Sequence, residues 1–344
     1  MKKILFLPIS DREGASSRYR VYQYIPFLEQ AGFDVRVMPP SKDKGRGITR
    51  LLKGMAEERA IINAAQSADV VFIQKRLFGK GFVKRLSNTG VKMVFDFDDS
   101  IFTSPTGDWS GPTKSRVSGR LSAVLGISDM VVAGNAFLRD YAVGAGAGRV
   151  EVIPTGLDLA GYRLKEHGSG KAVVLGWIGS SVNHPYLDML KGVLPVMAKE
   201  YDGLRLLVVS DKDYKMDGVT VENRRWSEAT EIDDLLSMDI GLMPLTDTEW
   251  TRGKCAFKAI QYMAAGIPVV CSPVGANVEA VQDSVEGFLP GTEQGWLDAL
   301  GRLITSHGLR AEMGSAGRAK VERSYSVTAL NPIYIRMLKE LQNA

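Results

Sequence analysis

The stretch Asp158–His184, DLAGYRLKEHGSGKAVVLGWIGSSVNH, decides how this chain folds. Its first half is polar and carries glycines, as a linker does. Its second half is an apolar run, Ala172–Ile178, that ends in a glycine-serine turn and leads into a helical pattern. Upstream, the same unit has already recurred several times. Short apolar runs at Ile4–Pro8, Asp34–Met38, Ala68–Gln74, Val91–Phe97, Asp129–Ala133 and Val150–Ile153 read as strands, with amphipathic stretches such as Val21–Gln30 between them. Downstream it recurs at Leu204–Val209, Gly218–Glu222, Ile240–Met243 and Pro268–Cys271, with helices expected over Tyr186–Glu200 and Cys255–Ala265. Strands alternating with helices imply parallel sheets covered on both faces. A restart near the middle of 344 residues favours two Rossmann-like doubly wound domains over one eight-unit barrel. The expected boundaries are 1–163 and 164–326, with 327–344 a C-terminal helix packed back on the first domain.

Bulk properties narrow the class. The apolar share of 45% and charged share of 24% are those of a soluble globular protein. No run approaches the roughly 18 apolar residues of a membrane span, and the opening Ile4–Leu7 is too short for a signal peptide. Two cysteines, Cys255 and Cys271, make no disulfide framework and suit a reducing, cytoplasmic setting. Three scattered histidines and no cysteine pair at ligand spacing argue against a metal site. The net charge of +4 hides an asymmetry: residues 1–165 hold 25 Lys+Arg against 16 Asp+Glu, whereas the remainder holds 18 against 23. No recognised nucleic-acid motif accompanies the basic half, so a nucleic-acid partner is not expected.

In doubly wound sheets, ligands bind beyond the carboxyl ends of the strands, where glycines let backbone N–H groups approach phosphates. Two turns qualify, Gly14-Ala15-Ser16-Ser17-Arg18-Tyr19-Arg20 and Gly176-Trp177-Ile178-Gly179-Ser180-Ser181. Neither fits the dinucleotide fingerprint or the P-loop, which argues against a nicotinamide dehydrogenase and an NTPase. The most informative stretch is Trp250–Gly275, WTRGKCAFKAIQYMAAGIPVVCSPVG. A helix starting near Cys255 would aim its positive end at a ligand, with Lys254 at the mouth and Lys258 and Gln261 on one face. Such a cradle suits a diphosphate, whose charge is neutralised on binding and on leaving. The plainer alternative is a solvated helix with ordinary surface lysines.

The run K-x-x-x-K-x-x-Q-Y-M-A-A-G-I-P-V-V resembles the donor-site signature of retaining GT-B glycosyltransferases of the family 4, group 1 type, which usually reads K-x-x-E-Y-M-A-x-G-x-P-V-V-x-S. The loop after the first strand, Asp96-Phe97-Asp98-Asp99, Ile153–Asp158, Gly176–Ser180, Asp239–Leu245 and Ser324-Tyr325-Ser326 follow in the family's order. The resemblance thus runs from about residue 4 to about residue 326. It implies the GT-B fold, a nucleotide diphosphate sugar held by the second domain, a glycan or lipid-linked glycan acceptor held by the first, reaction in the cleft without metal or other cofactor, and retention of configuration. Lys254 and Lys258 would face the diphosphate, and Gly179, Ser180 and Ser181 would donate to it. Two positions depart from the pattern. Gln261 stands where the family has a glutamate on the ribose, and Gly253 stands where many relatives have a glutamate on the transferred sugar. The alternatives these leave are a nucleotide-sugar-binding protein without transfer, and an epimerase or hydrolase.

In the first half, Asp98 and Asp99 close a strand, where one carboxylate could take the acceptor's proton or merely fix a loop. With Lys258 they are the catalytic candidates. Ser17, Arg18, Arg20 and Trp109 are the candidate acceptor or cleft residues; each also has a structural reading. Finally, Lys42–Ile62 places Ile48, Leu51, Leu52 and Met55 on one side among Lys44, Arg46, Arg50, Lys53 and Arg59. That side either faces the core or lies on an anionic leaflet, with Lys75, Arg76, Lys80, Lys84 and Arg85 extending the basic surface. In the second case the protein would be cytoplasmic but peripheral on the membrane.

Overall fold

The computed structural model describes residues 2–43, 46–105, 109–169 and 172–341. Lys44, named above for the basic surface, lies outside the described residues, as do three residues of the loop before Trp109. The chain divides into two compact units. The first runs through Gly156 and takes in Gly253–Cys255 and the helix Val327–Leu341; the second comprises Leu157–Arg252 and Ala256–Ser326.

The first unit holds a six-stranded parallel sheet of β1 (Lys2–Leu7), β2 (Phe33–Val37), β3 (Val70–Gln74), β4 (Lys92–Phe97), β5 (Met130–Ala133) and β6 (Val150–Val152), in the order β2-β1-β3-β4-β5-β6. Its central strands are apolar almost throughout because both faces are covered. Leu5, Leu7, Val71, Ile73, Phe95 and Phe97 point into one core; Ile4, Phe6, Val70, Phe72 and Val94 point into the other. The second core is closed by Leu330, Tyr334, Met337, Leu338 and Leu341 of Val327–Leu341, a helix that carries Pro332 inside it.

The second unit repeats the plan with β7 (Val174–Ile178), β8 (Arg205–Ser210), β9 (Val221–Arg225), β10 (Ile240–Met243), β11 (Val269–Cys271) and β12 (Gly287–Phe288), ordered β12-β11-β10-β7-β8-β9. In each sheet the first strand lies between neighbours reached in opposite directions. This makes the carboxyl ends of β1 and β3, and of β7 and β10, the topological switch points where α/β sheets take ligands.

Three expectations need correction. The Tyr186–Glu200 helix is broken into His184–Leu187, a short turn and Leu194–Glu200, since Gly192 and Pro195 interrupt it. The helix expected from Cys255 begins at Phe257, after Ala256 in the left-handed region (φ 53°). Of the two alternatives for the apolar side of Gly47–Ala65, the core-facing one fails: Ile48, Leu51, Leu52 and Met55 face solvent and are 58–74% exposed. No helix among the described residues is long and apolar enough to cross a membrane.

Candidate functional site

In the second unit, β7 leads into Gly179, and the helix Phe257–Ala264 packs beside it. Tyr262 sets that packing. Its hydroxyl accepts from the Ile178 N–H at 3.0 Å and donates to the Leu242 carbonyl at 3.3 Å, tying the helix to β7 and β10. Gly241 allows the approach, because a Cβ there would lie 2.3 Å from the Tyr262 ring. On the other side Gly314 of His307–Ser324 presses on the Gly266 carbonyl, where a Cβ would come within 1.9 Å. The Tyr-Met-Ala-Ala-Gly run is thus a packing device that fixes one short helix against the end of one strand.

The consequence is the placement of Lys258. Its stem runs along the Gly179 backbone, so a Cβ on Gly179 would lie 2.6 Å from Lys258 Cε and 3.2 Å from Nζ. The ammonium also sits 5.3 Å from the Trp177 ring centroid. Gly179 and Lys258 are therefore together, at the switch point of the sheet. Gln261 lies on the same helix, 4% exposed, and its Nε2 has no hydrogen-bond partner among the described residues. A buried amide donor without a partner costs free energy unless a ligand or water satisfies it.

Neighbouring groups have other work. Ser180 is exposed at the turn, whereas Ser181 gives both its N–H (2.6 Å) and its hydroxyl (2.9 Å) to Asp211. These bonds pull the Asp211 carboxyl down to about 2. His184 accepts or donates at Ser210 Oγ (3.0 Å) and stacks edge-on between Trp177 and Tyr214, so it is a packed residue. Burial lowers its pKa, which keeps the ring neutral near pH 7.

In the first unit, the carboxyl ends of β1, β3 and β4 carry a polar network. Gln74, at the end of β3, accepts from the Ile9 N–H (3.0 Å) and the Ser17 hydroxyl (2.9 Å) and donates to Ser16 Oγ (2.8 Å). Ser16 in turn donates to Asp98 at 2.9 Å. Lys75, held in the left-handed region (φ 57°), bridges Asp98 (3.0 Å) and Asp99. Burial alone would raise the Asp98 carboxyl, but Lys75 and Arg20 hold it below the ordinary range. Lys75 is itself raised by the two carboxylates against the effect of its burial. Expected on the basic surface, the Lys75 side chain is only 12% exposed and belongs to this cluster instead. Arg76 likewise turns inward, to Glu57 (2.6 Å).

The remaining candidates separate. Arg20 is sealed inside the unit, paired with Asp96 and donating to the Ile153 carbonyl at 2.7 Å; both side chains of the pair are 0% exposed. It is a core ion pair, which corrects its reading as an acceptor contact. Ser17 is fully buried and orders the loop after β1. Arg18 is 7% exposed and reaches the Tyr19 hydroxyl at 3.0 Å. Trp109 is half-buried just ahead of the helix Gly111–Leu125.

Lys254 groups with the first unit, where its carbonyl accepts from Asn135 Nδ2 at 3.0 Å. Burial lowers the pKa of its ammonium, with Asp99 opposing. The adjacent Gly253 accounts for the missing glutamate. A Cβ there would lie 2.0 Å from Ser100 Oγ and 2.7 Å from the Ser100 backbone nitrogen, so the loop after β4 fills the space a side chain needs.

Residues 172–306, which apart from Gly253–Cys255 fall within the second unit, match the family described as glycosyl transferases group 1. That match marks a transferase domain over those residues, and the two parallel six-stranded sheets have the two-domain arrangement of the GT-B fold. The chain's fold is similar to sucrose-phosphate synthase of Thermosynechococcus elongatus, at 14% identity and TM-score 0.75, over 99% of both chains. It is also similar to HepE (Alr3699) of Anabaena, solved in complex with UDP and glucose, at 17% identity and TM-score 0.68, over 99% of this chain and 100% of that one. A third similar structure is the lipopolysaccharide outer core galactosyltransferase WaaB, at 13% identity and TM-score 0.68, over 98% and 100% of the two chains. No curated protein matches the sequence significantly.

Proposed function

We propose that this protein transfers a hexose-type sugar from a nucleoside diphosphate sugar to a glycan or lipid-linked glycan acceptor, with retention and without a bound metal. The observation that carries the reading is the set in the second unit: Lys258 laid along the Gly179 backbone, with the unpartnered Gln261 Nε2 on the same helix. A lysine ammonium at the carboxyl end of a parallel strand neutralises a diphosphate without a cation, while the Gly179 N–H is itself given to the Val209 carbonyl at 3.0 Å. The Gln261 amide is then available for the ribose hydroxyls. UDP and glucose in the similar HepE structure support this donor class, and the galactosyltransferase WaaB supports an acceptor of the cell envelope. Cytoplasmic cell-envelope polysaccharide biosynthesis, on the inner face of the membrane, is the setting this implies. In this reading the cluster of Asp98, Asp99 and Lys75 serves the acceptor, and Asp99, one-third exposed, is the carboxylate more open to an acceptor hydroxyl.

Calorimetric titration of UDP, GDP and ADP, each with and without magnesium, tests the donor site. One nucleotide series binds independently of magnesium, and Lys258→Ala weakens it by about tenfold or more, as loss of a charge-assisted contact does. Equal binding by the variant refutes the assignment of Lys258. A second reading, a nucleotide-sugar-binding protein without transfer, is favoured by Gly253, where a sugar-contacting glutamate has no room. Turnover of the bound donor with a glycan acceptor excludes it, and donor consumption without acceptor identifies a hydrolase or epimerase instead.

A further inference from the structure

The helix Gly47–Ala65 is amphipathic in the wrong sense for a globular domain. Its C-terminal half is anchored conventionally, with Ile61, Ala64 and Ala65 buried in the core. Its N-terminal half is not: every residue from Arg46 to Ala56 is exposed. Within that half, Ile48, Leu51, Leu52 and Met55 follow the i, i+3, i+4, i+7 spacing that puts side chains on one face. Their exposures are 74%, 63%, 58% and 60%. The charged residues lie on the other side. Arg50, Lys53 and Glu57 line a groove of about 330 Å³, facing Arg76, Leu77 and Phe78 of the loop after β3. The helix therefore turns its charges toward its own unit and its leucines toward solvent.

Four large apolar side chains held together in water are unusual for a soluble surface and mark a docking face. The charge around this one selects its partner. From Arg46 to Ala56 there is no acidic residue. Arg46 stands at the start of the stripe, and Arg59, exposed and one turn beyond Met55, continues the same face. The nearest acids along the helix are occupied, Glu57 by Arg76 and Glu58 by Arg85, and Lys53 neutralises Asp43. Lys84 adds an exposed cation on the helix Lys80–Ser87, which packs beside it. An apolar stripe bracketed by arginines fits the boundary between anionic headgroups and acyl chains, where the guanidinium groups reach phosphate while the leucines enter the hydrocarbon.

We propose that the N-terminal half of this helix is the protein's membrane-docking element, laying Ile48, Leu51, Leu52 and Met55 into an anionic leaflet. This deepens the acceptor reading above by naming the surface that meets a membrane, and it rests on that reading only for its purpose. The groove behind the helix would then open next to the headgroup layer.

The test is co-sedimentation of the whole protein with vesicles of equal parts phosphatidylcholine and phosphatidylglycerol at low ionic strength, with pure phosphatidylcholine alongside. The wild type is expected to sediment with the anionic vesicles, and Leu51→Ser/Leu52→Ser to reduce the partition at least about tenfold, since two leucine side chains are lost from the contact. Because both positions are exposed, the double variant should keep its melting temperature and its nucleotide binding. Wild-type protein left in the supernatant overturns the proposal, as does equal sedimentation of the variant or equal binding to phosphatidylcholine alone. Sedimentation velocity supplies the competing outcome: self-association abolished by the same variant would make the stripe an interface between copies and overturn the membrane assignment. Vesicle binding reads no sugar transfer, so its failure and a failure of the donor titration are distinguishable.

Discussion

Replacing Gly253 by alanine tests whether the absent glutamate is a lost contact or a filled space. The residue has no unusual backbone angle, so the cost is steric alone. Its new Cβ would lie 2.0 Å from Ser100 Oγ, 2.8 Å from Ser100 Cβ and 2.7 Å from the Ser100 backbone nitrogen. A rotation of the serine relieves only the first of these. The backbone contact requires the loop after β4 to shift, and overpacking of that kind costs about 1–3 kcal/mol. The upper end applies, because Ser100 is fully buried and its neighbour Asp99 is anchored to Lys75. For a domain of this size that is a fall of about 6–12 °C in melting temperature. Differential scanning calorimetry reads it directly. Ser100→Gly combined with Gly253→Ala removes the contacts to Oγ and Cβ but leaves the nitrogen, so it should recover roughly half of the loss. Gly253→Glu should be worse than Gly253→Ala and should not raise transferase activity. A Gly253→Ala variant that melts with the wild type, or a glutamate variant that gains activity, would refute the reasoning.

Two further outcomes follow from the hydrogen-bond networks. Tyr262→Phe deletes the acceptor of the buried Ile178 N–H and should cost about 1–3 kcal/mol in urea unfolding, with nucleotide binding weakened because Ile178 leads into Gly179. Lys75→Met leaves Asp98 buried beside Asp99 without its cation and should cost about 3–5 kcal/mol near neutral pH. The pH dependence has a definite sign. A carboxyl held below its unfolded value contributes stability that is present above the unfolded value and lost as pH falls through the folded one. Asp98 is such a group, so wild-type melting temperature should decline on the acid side. In Lys75→Met that decline should begin at higher pH; an unchanged acid limb would show that Lys75 does not hold the carboxyl.

Strands were legible wherever both faces are buried, because a short, continuous apolar run such as Val70–Gln74 or Val174–Ile178, bounded by polar turns, is what a central parallel strand requires. The strand expected at Gly218–Glu222 lies at Val221–Arg225, and its residues are only half-buried or exposed. An edge strand of that kind carries no hydrophobic period to fix its position. The two-residue β12 is too short to leave a pattern at all. Gly192 and Pro195 mark the break in the Tyr186–Glu200 stretch, but Leu187, Leu190, Leu194 and Met197 carry a helical spacing across it and are all buried in one core.

The site shows the same division between what is local and what depends on register. Lys258 and Gln261 were readable because their neighbours belong to one helix and one adjoining turn. Lys75 was not, because its role is created by strand pairing. The register sets Gln74 opposite Asp96, and the Lys75 N–H bonds to the Asp96 carbonyl at 2.8 Å, which carries the lysine side chain to the two carboxylates that follow β4. The signal that could have found it is electrostatic: three acids within four residues at the end of a buried strand require cations from the adjoining strand or loop. Arg20 supplies one, to Asp96, and Lys75 supplies the other, to Asp98 and Asp99. The two cations differ in reach. The arginine after β1 is sealed at the apolar level of the sheet, and the lysine after β3 is left at the end where ligands bind.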